Sequence, residues 1–366
     1  MIADTLGQKI ARRIRAEGPL TVAAYMAMAL HDPEDGYYAR RDPFGTRGDF
    51  ITAPEISQVF GELIGLWCAM MWDQLGRPDP VILAELGPGR GTLMSDLLRA
   101  SATVPDFCRA LRLHLVEASA PLRVVQERRL AQFSPVWAPR FEDLPDGPML
   151  LVANEFLDAL PIRQFVRRGI HWSERMVTLD DENRLVFVEG PPSPIVGLLV
   201  PEGLRDSAAE GAIVETCPAA LTLAAELGAR LSREGGSALF IDYGYFPSAP
   251  GPTLRALCRH RAVSELAAPG TADLSAHVDF AAFAEAARTT GAEPYGPLPQ
   301  ARLLTALGAV ERAAALGRRA TPSQQQDLDR GVERLLDPGG MGTLFKALTV
   351  VSPGLPVPPV FDDCNE

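Results

Sequence analysis

The sequence predicts an α/β fold: a doubly wound, mostly parallel sheet with an N-terminal helical segment and an inserted β-rich subdomain. Three observations predict it. Apolar runs at Val81–Leu86, Leu111–Val116 and Pro148–Asn154 have the length and composition of strands covered on both faces. Helical stretches stand between them at βαβ spacing, which calls for a parallel, right-handed arrangement. The first run feeds directly into Gly87, Gly89 and Gly91, a strand–glycine loop–helix junction that lets backbone approach a ligand where a Cβ would collide.

Taken in order, residues Asp4 to Leu30 read as two helices broken at Gly18-Pro19, with Thr21 capping the second. From His31 to Pro54 the pattern becomes a long loop dense in Gly, Pro and Asp but carrying Tyr37, Tyr38, Phe44 and Phe50, the kind of loop that is often functional. Glu55 to Leu75 returns to helical period with a broad apolar face. After the glycine loop a helix runs to about Ala100, a strand ends at Glu117, a helix covers Pro121–Ala131, and a short strand lies near Val136. Ile162–Val166, Trp172–Leu179 and Leu185–Val188, separated by turn signals, read as a β meander. The core is expected to resume with Ala212–Glu215, a helix over Ala219–Arg233 and the strand Ser237–Ile241. Helices follow at Val278–Thr290, Gln300–Leu316 and Gln324–Leu335, and Gly342–Val350 closes the chain as an antiparallel strand. The expected division is 1–80 for the helical segment and active-site loop, 81–160 for the cofactor half of the core, 161–211 for the insertion, and 212–366 for the second half with helical additions.

Composition narrows the function classes. At 366 residues the chain is long enough for a large core, and a formal charge of −11 argues against a nucleic-acid surface, which needs clustered Lys and Arg. The five cysteines are scattered and form no Cys-x-x-Cys pair, so neither a disulfide framework nor a metal site is expected. No apolar run reaches the roughly 18 residues that a membrane helix needs. The amphipathic start, MIADTLGQKIARRIRAEG, reads as a folded first helix of a cytoplasmic protein rather than a transit peptide.

The glycine spacing decides between cofactors. A dinucleotide fingerprint requires G-x-G-x-x-G, but here the spacing is G-x-G-x-G with Thr92 at the sixth position, and no Gly-Lys-Ser/Thr follows as in a P-loop. The stretch instead matches acid-x-G-x-G-x-G, the first motif of Rossmann-like class I methyltransferases, with Glu85 as the acid. S-adenosylmethionine has no phosphate, and its ammonium and sulfonium are cationic, so a carboxylate beside the turn suits it. Thr92 can cap the following helix, whose positive end faces the ligand. Glu117 at the end of the second strand can accept both ribose hydroxyls. Asp143, beside Glu142 in FEDLPDG, is placed to accept the adenine amino group. Asn154, Glu155 and Asp158 follow the strand LLVA at the carboxyl edge, where open α/β sheets bind ligands, and are the candidates for orienting an acceptor. Glu55, Asp242 and His277 are further candidates, and Phe50 and Phe156 could wall the methyl channel.

Three segments together, GDFITAPEISQVFGE (Gly48–Glu62), LAELGPGRGTL (Leu83–Leu93) and NEFLDALP (Asn154–Pro161), resemble the MidA family of methyltransferases, which includes a mitochondrial complex I assembly factor acting as a protein arginine methyltransferase. IDYGY (Ile241–Tyr245), DLSAHVDF (Asp273–Phe280) and MGTLFKAL (Met341–Leu348) fit the same family, so the resemblance spans nearly the whole chain. It implies a Rossmann-like fold binding S-adenosylmethionine, with Gly48 and Phe50 joining the cofactor residues. It also implies a protein substrate, an arginine on a subunit of respiratory complex I, that is dimethylated symmetrically. A small-molecule methyltransferase and a cofactor-binding assembly chaperone without turnover are the alternatives; an oligomer is compatible with either.

Overall fold

The computed structural model describes residues 5–40, 52–258 and 261–362. The chain divides into two compact units. One comprises Met1–Phe50, Leu157–Thr222 and Tyr245–Ala282, and the other Ile51–Phe156, Leu223–Gly244 and Phe283–Glu366.

The second unit carries the expected sheet. Its strands are β1 (Val81–Leu86), β2 (Leu111–Val116), β3 (Val136–Ala138), β4 (Met149–Asn154), β5 (Gly236–Tyr245), β6 (Glu293–Pro299) and β7 (Phe345–Val351), in the order β3-β2-β1-β4-β5-β7-β6. Neighbours from β3 to β5 are parallel, whereas β7 runs antiparallel to β5 and to β6. Every residue of β1 is buried, which is why its sequence is a continuous apolar run instead of an alternating one. The chain moves outward from β1 to β3 and then returns to β4 on β1's other side, so the order reverses between β1 and β4. At such a switch point the loops beyond the strands' carboxyl ends diverge and leave a crevice. The helices Gln58–Gln74 and Thr92–Ser101 are in close contact: a Cβ on Gly61 would lie 2.7 Å from Asp96 Cβ, and one on Gly65 would lie 2.8 Å from Leu97 O.

Several elements differ from the sequence expectation. The helix expected over Glu55–Leu75 is two helices, Ala53–Ile56 and Gln58–Gln74, because extended Ser57 interrupts the period and its hydroxyl accepts from the Val59 N–H. Gln300–Leu316 likewise divides into Gln300–Ala306 and Ala309–Gly317 at left-handed Gly308. Strand β6 went unseen because Pro294, Pro297 and Pro299 occupy three of its seven positions, a composition that only an edge strand tolerates. Residues Met341–Leu344 are helical, so the last strand begins at Phe345.

The first unit is built on a five-stranded antiparallel sheet. Leu20–Thr21, His171–Leu179, Arg163–Arg168 and Ile213–Thr216 pair in that order, and Leu185–Glu189 also pairs with His171–Leu179. The meander is therefore as expected, but Ile213–Thr216 completes this sheet and does not resume the parallel core. Helices Leu6–Glu17 and Val22–His31 bury Ile10, Ile14, Tyr25 and Met26 in this unit's core, and Thr21 Oγ1 accepts from the Ala24 N–H at 3.0 Å as its cap. Arg255–Cys258 is the middle strand of a second, three-stranded sheet.

Candidate functional site

The loop after β1 turns through three left-handed glycines, with φ of 61° at Gly87, 52° at Gly89 and 73° at Gly91. The Gly87 N–H donates to Val116 O at 3.1 Å, and the Gly91 N–H donates to Pro88 O at 2.7 Å. A Cβ on Gly87 would sit 2.7 Å from Phe156 Cδ2, so that ring lies against the turn. Gly91, not Thr92, is the cap of the Thr92–Ser101 helix: its left-handed conformation forms the entry, and no side chain caps it. Thr92 is the first helical residue. Its hydroxyl donates to Glu55 Oε1 and accepts from an Arg129 NH, and Arg129 lies 4.0 Å from the same Glu55 oxygen. Glu55 is thereby tied to the start of the cradle's helix.

Two carboxylates close the cradle. Glu85 is 3% exposed, and among the described residues its Oε2 has no hydrogen-bond partner. Burial, reinforced by the nearby Glu117 charge, pushes its pKa up to about 8. Glu117, 9% exposed, follows β2; its Oε1 accepts from the Ser119 N–H at 2.7 Å and its Oε2 from Gln126 Nε2 at 3.1 Å. Burial raises its pKa, and the bonds from Ser119 and Gln126 and the Arg123 charge partly offset this. Gln126 is fully buried on the Ala120–Leu130 helix and was not singled out by sequence reasoning. Its one sequence signal was an amide on a helix that crosses over the sheet. Asp143 is exposed in a short helical turn and accepts from Arg140 Nε at 3.2 Å.

At the end of β4, Asn154 Nδ2 donates to Glu155 Oε1 at 3.0 Å, and Asn154 Oδ1 is buried with no partner among the described residues. Glu155 has φ of 50°, a sparsely populated region for a side chain of its size. The surroundings hold it there. Its N–H donates to Ile241 O at 2.9 Å, and its Oε1 accepts from the Ala53 N–H at 3.0 Å. Buried Asp242 accepts from the Phe156 N–H at 3.1 Å and from its neighbour Tyr243 N–H at 2.9 Å. Glu55, Glu85, Glu117, Asn154, Glu155 and Asp242 thus share one unit.

Asp158 and His277 belong to the other unit. There the Asp158 carbonyl accepts from the Ala276 N–H at 3.0 Å, and the His277 N–H donates to Thr253 Oγ1 at 2.8 Å. Burial lowers the His277 pKa, while the Glu215 charge pulls it upward. Gly48 and Phe50 lie outside the described residues. Among the described residues no group of three or more His, Cys, Asp or Glu could hold a metal, and no helix is long and apolar enough to cross a membrane.

Residues 63–298 match the model of a family of S-adenosyl-L-methionine-dependent methyltransferases. The chain belongs to this family. It is 36% identical over 361 residues to the mitochondrial protein arginine methyltransferase NDUFAF7 of Mus musculus, covering 91% of this chain and 81% of that protein. The Drosophila melanogaster homolog is 35% identical over 376 residues, covering 94% and 84%. Among solved structures, a Burkholderia thailandensis protein bound to S-adenosyl-homocysteine superposes with a TM-score of 0.84 at 28% identity, covering 98% of this chain and 95% of that one.

This family member is accordingly a Rossmann-like methyltransferase whose cofactor is S-adenosylmethionine. Its own residues fit that cofactor. A cationic amino-acid moiety suits the buried Glu85 oxygen that has no partner among the described residues. Each Glu117 oxygen accepts one of the bonds described above, while a carboxylate oxygen can accept two.

Proposed function

We propose that this methyltransferase is a protein arginine N-methyltransferase that works in the cytoplasm, symmetrically dimethylates an arginine on a respiratory complex I subunit and so supports assembly of the complex. The observation that carries this reading is the 36% identity, across 91% of the chain, to proteins named protein arginine methyltransferases. We assign Glu85 to the methionine ammonium, the turn Gly87–Gly91 to the close backbone approach, and Glu117 to the ribose diol. Asp143 takes the adenine amino group, and Thr92, Asn154, Gly48 and Phe50 complete the cofactor shell. Glu55 serves the acceptor side by keeping the Thr92 end of the cradle in place.

When bound, S-adenosylmethionine supplies an electrophilic methyl group on a sulfonium. The acceptor is harder to prepare, because the guanidinium pKa lies above about 12. A carboxylate can hold it by paired N–H bonds, localise charge on one nitrogen and leave another to attack in line. The N–C bond then forms as the S–C bond breaks, and the attacking nitrogen loses a proton to carboxylate or water. Glu155 is our leading candidate for this carboxylate, since its backbone is fixed at the switch-point edge and its Oε1 is held by Ala53 and Asn154. Asp158, from the same NEFLDALP motif, and Asp242 and His277 are assigned supporting roles in acceptor binding.

The test is transfer of labelled methyl groups to purified complex I subunits, followed by mass spectrometry. Methylarginine is expected with the wild-type enzyme. Glu155→Gln is expected to keep cofactor affinity within about twofold while losing about 100-fold or more in transfer, in the range seen when one positioned charge is removed from an active site. Label appearing only on a small molecule would overturn the protein-substrate reading.

A further inference from the structure

The fully buried Gln126 joins three parts of the cradle that are far apart in sequence. Its Nε2 donates to Gly89 O at 2.8 Å and to Glu117 Oε2 at 3.1 Å, and its Oε1 accepts from Trp137 Nε1 at 2.8 Å. Both amide N–H groups are used, and the indole selects which way the amide faces. Turned over, the amide would set its oxygen against two acceptors and its nitrogen against a donor, an arrangement costly in a dry interior. The helix that carries Gln126 is seated on the same loop, because a Cβ on Gly91 would meet Leu130 Cδ1 at 3.2 Å and Gln126 Cγ at 3.7 Å.

We infer that Gln126, locked by Trp137, is a positioning residue that orients the Glu117 carboxylate for a vicinal diol and sets the enzyme's preference for a ribose-bearing cofactor. This rests on the assignment of Glu117 to the ribose. Ser119 N–H holds Oε1 and Gln126 holds Oε2, so both oxygens of the carboxylate are fixed in place. A carboxylate held at both oxygens cannot swing to bind a single hydroxyl in another pose, so the two-point geometry exists before the ligand arrives. Through Gly89 O the same amide ties the position of the glycine turn to that of the diol acceptor.

Isothermal calorimetry with S-adenosylhomocysteine and its 2′,3′-dideoxy analogue tests this. In Gln126→Leu the natural ligand should weaken about tenfold and the dideoxy analogue less than about twofold, so the preference between them collapses. Trp137→Phe, which releases the amide, should shift the ratio in the same direction by about threefold. In a Glu117→Gln background Gln126→Leu should add little. Equal weakening of both ligands, or an unchanged ratio in Gln126→Leu while Glu117→Gln abolishes the preference, overturns the positioning role. Should Glu117→Gln itself keep the full ribose preference, the ribose assignment falls instead. If Gln126→Leu does not fold by circular dichroism, the ratio in Trp137→Phe decides alone.

Discussion

A carboxyl group 3% exposed on a fully buried strand has lost nearly all its water, and at Glu85 the nearby Glu117 adds like-charge repulsion. The result is a group pushed up to about 8 from an ordinary 4.5. The sign of the linkage follows. Between those values the folded apo-protein holds a proton that the unfolded chain has lost, so the Glu85 contribution to stability falls as pH rises across that window. A bound ammonium favours the carboxylate, so binding should release a proton near neutral pH and tighten as pH rises from about 6 towards 8. Calorimetry in buffers of differing ionisation enthalpy should show this release with S-adenosylhomocysteine, and Glu85→Gln should remove it. Proton release that persists in the variant would place the titration elsewhere. The acid was legible in the sequence because it interrupts an apolar run directly before the glycines. Gln126 was not, because nothing in PLRVVQERRL shows that its amide reaches back to Gly89 and Glu117.

Among the elements, the strand–loop–helix junction was the most legible, because an apolar run of strand length feeds directly into three alternating glycines. The details that went astray were those in which backbone conformation overrode residue type. Thr92 has the chemistry of a cap, but the entry to the helix needs φ of 73°, which Gly91 adopts without penalty. Strand β6 has the prolines of a loop and the hydrogen bonds of an edge. The glycine turn itself is open to a paired test. Gly76 has φ of 81° with nothing within 4 Å of where a Cβ would stand, so Gly76→Ala carries only the left-handed penalty of about 1 kcal/mol. Gly87→Ala adds the Phe156 ring at 2.7 Å, and should cost about 2–4 kcal/mol and weaken S-adenosylhomocysteine at least about tenfold. Urea unfolding and calorimetry on both variants check the difference; equal costs would mean that Phe156 simply moves aside.

At the scale of the whole chain, the βαβ spacing carried the parallel core and the closing strand β7 was legible as antiparallel, but the edge strand β6 and the sheet completed by Ile213–Thr216 depend on long-range pairing that no local pattern encodes. The same sheet predicts where ligand binding should be felt. Linkage stabilises whatever cooperative unit holds the ligand, by about 2.7 kcal/mol at 100 times Kd. Amides of β1, β2 and β4 that exchange only when the unit carrying the cradle opens should therefore slow by about 100-fold with S-adenosylhomocysteine at that concentration, whereas amides that exchange by local fraying should not change. Hydrogen exchange read by mass spectrometry on peptides covering 81–92, 111–119 and 149–156 makes the measurement. Slowing confined to other peptides would mean that the ligand does not sit at the β1–β4 switch point, and the assignment of Glu85 and Glu117 would fall with it.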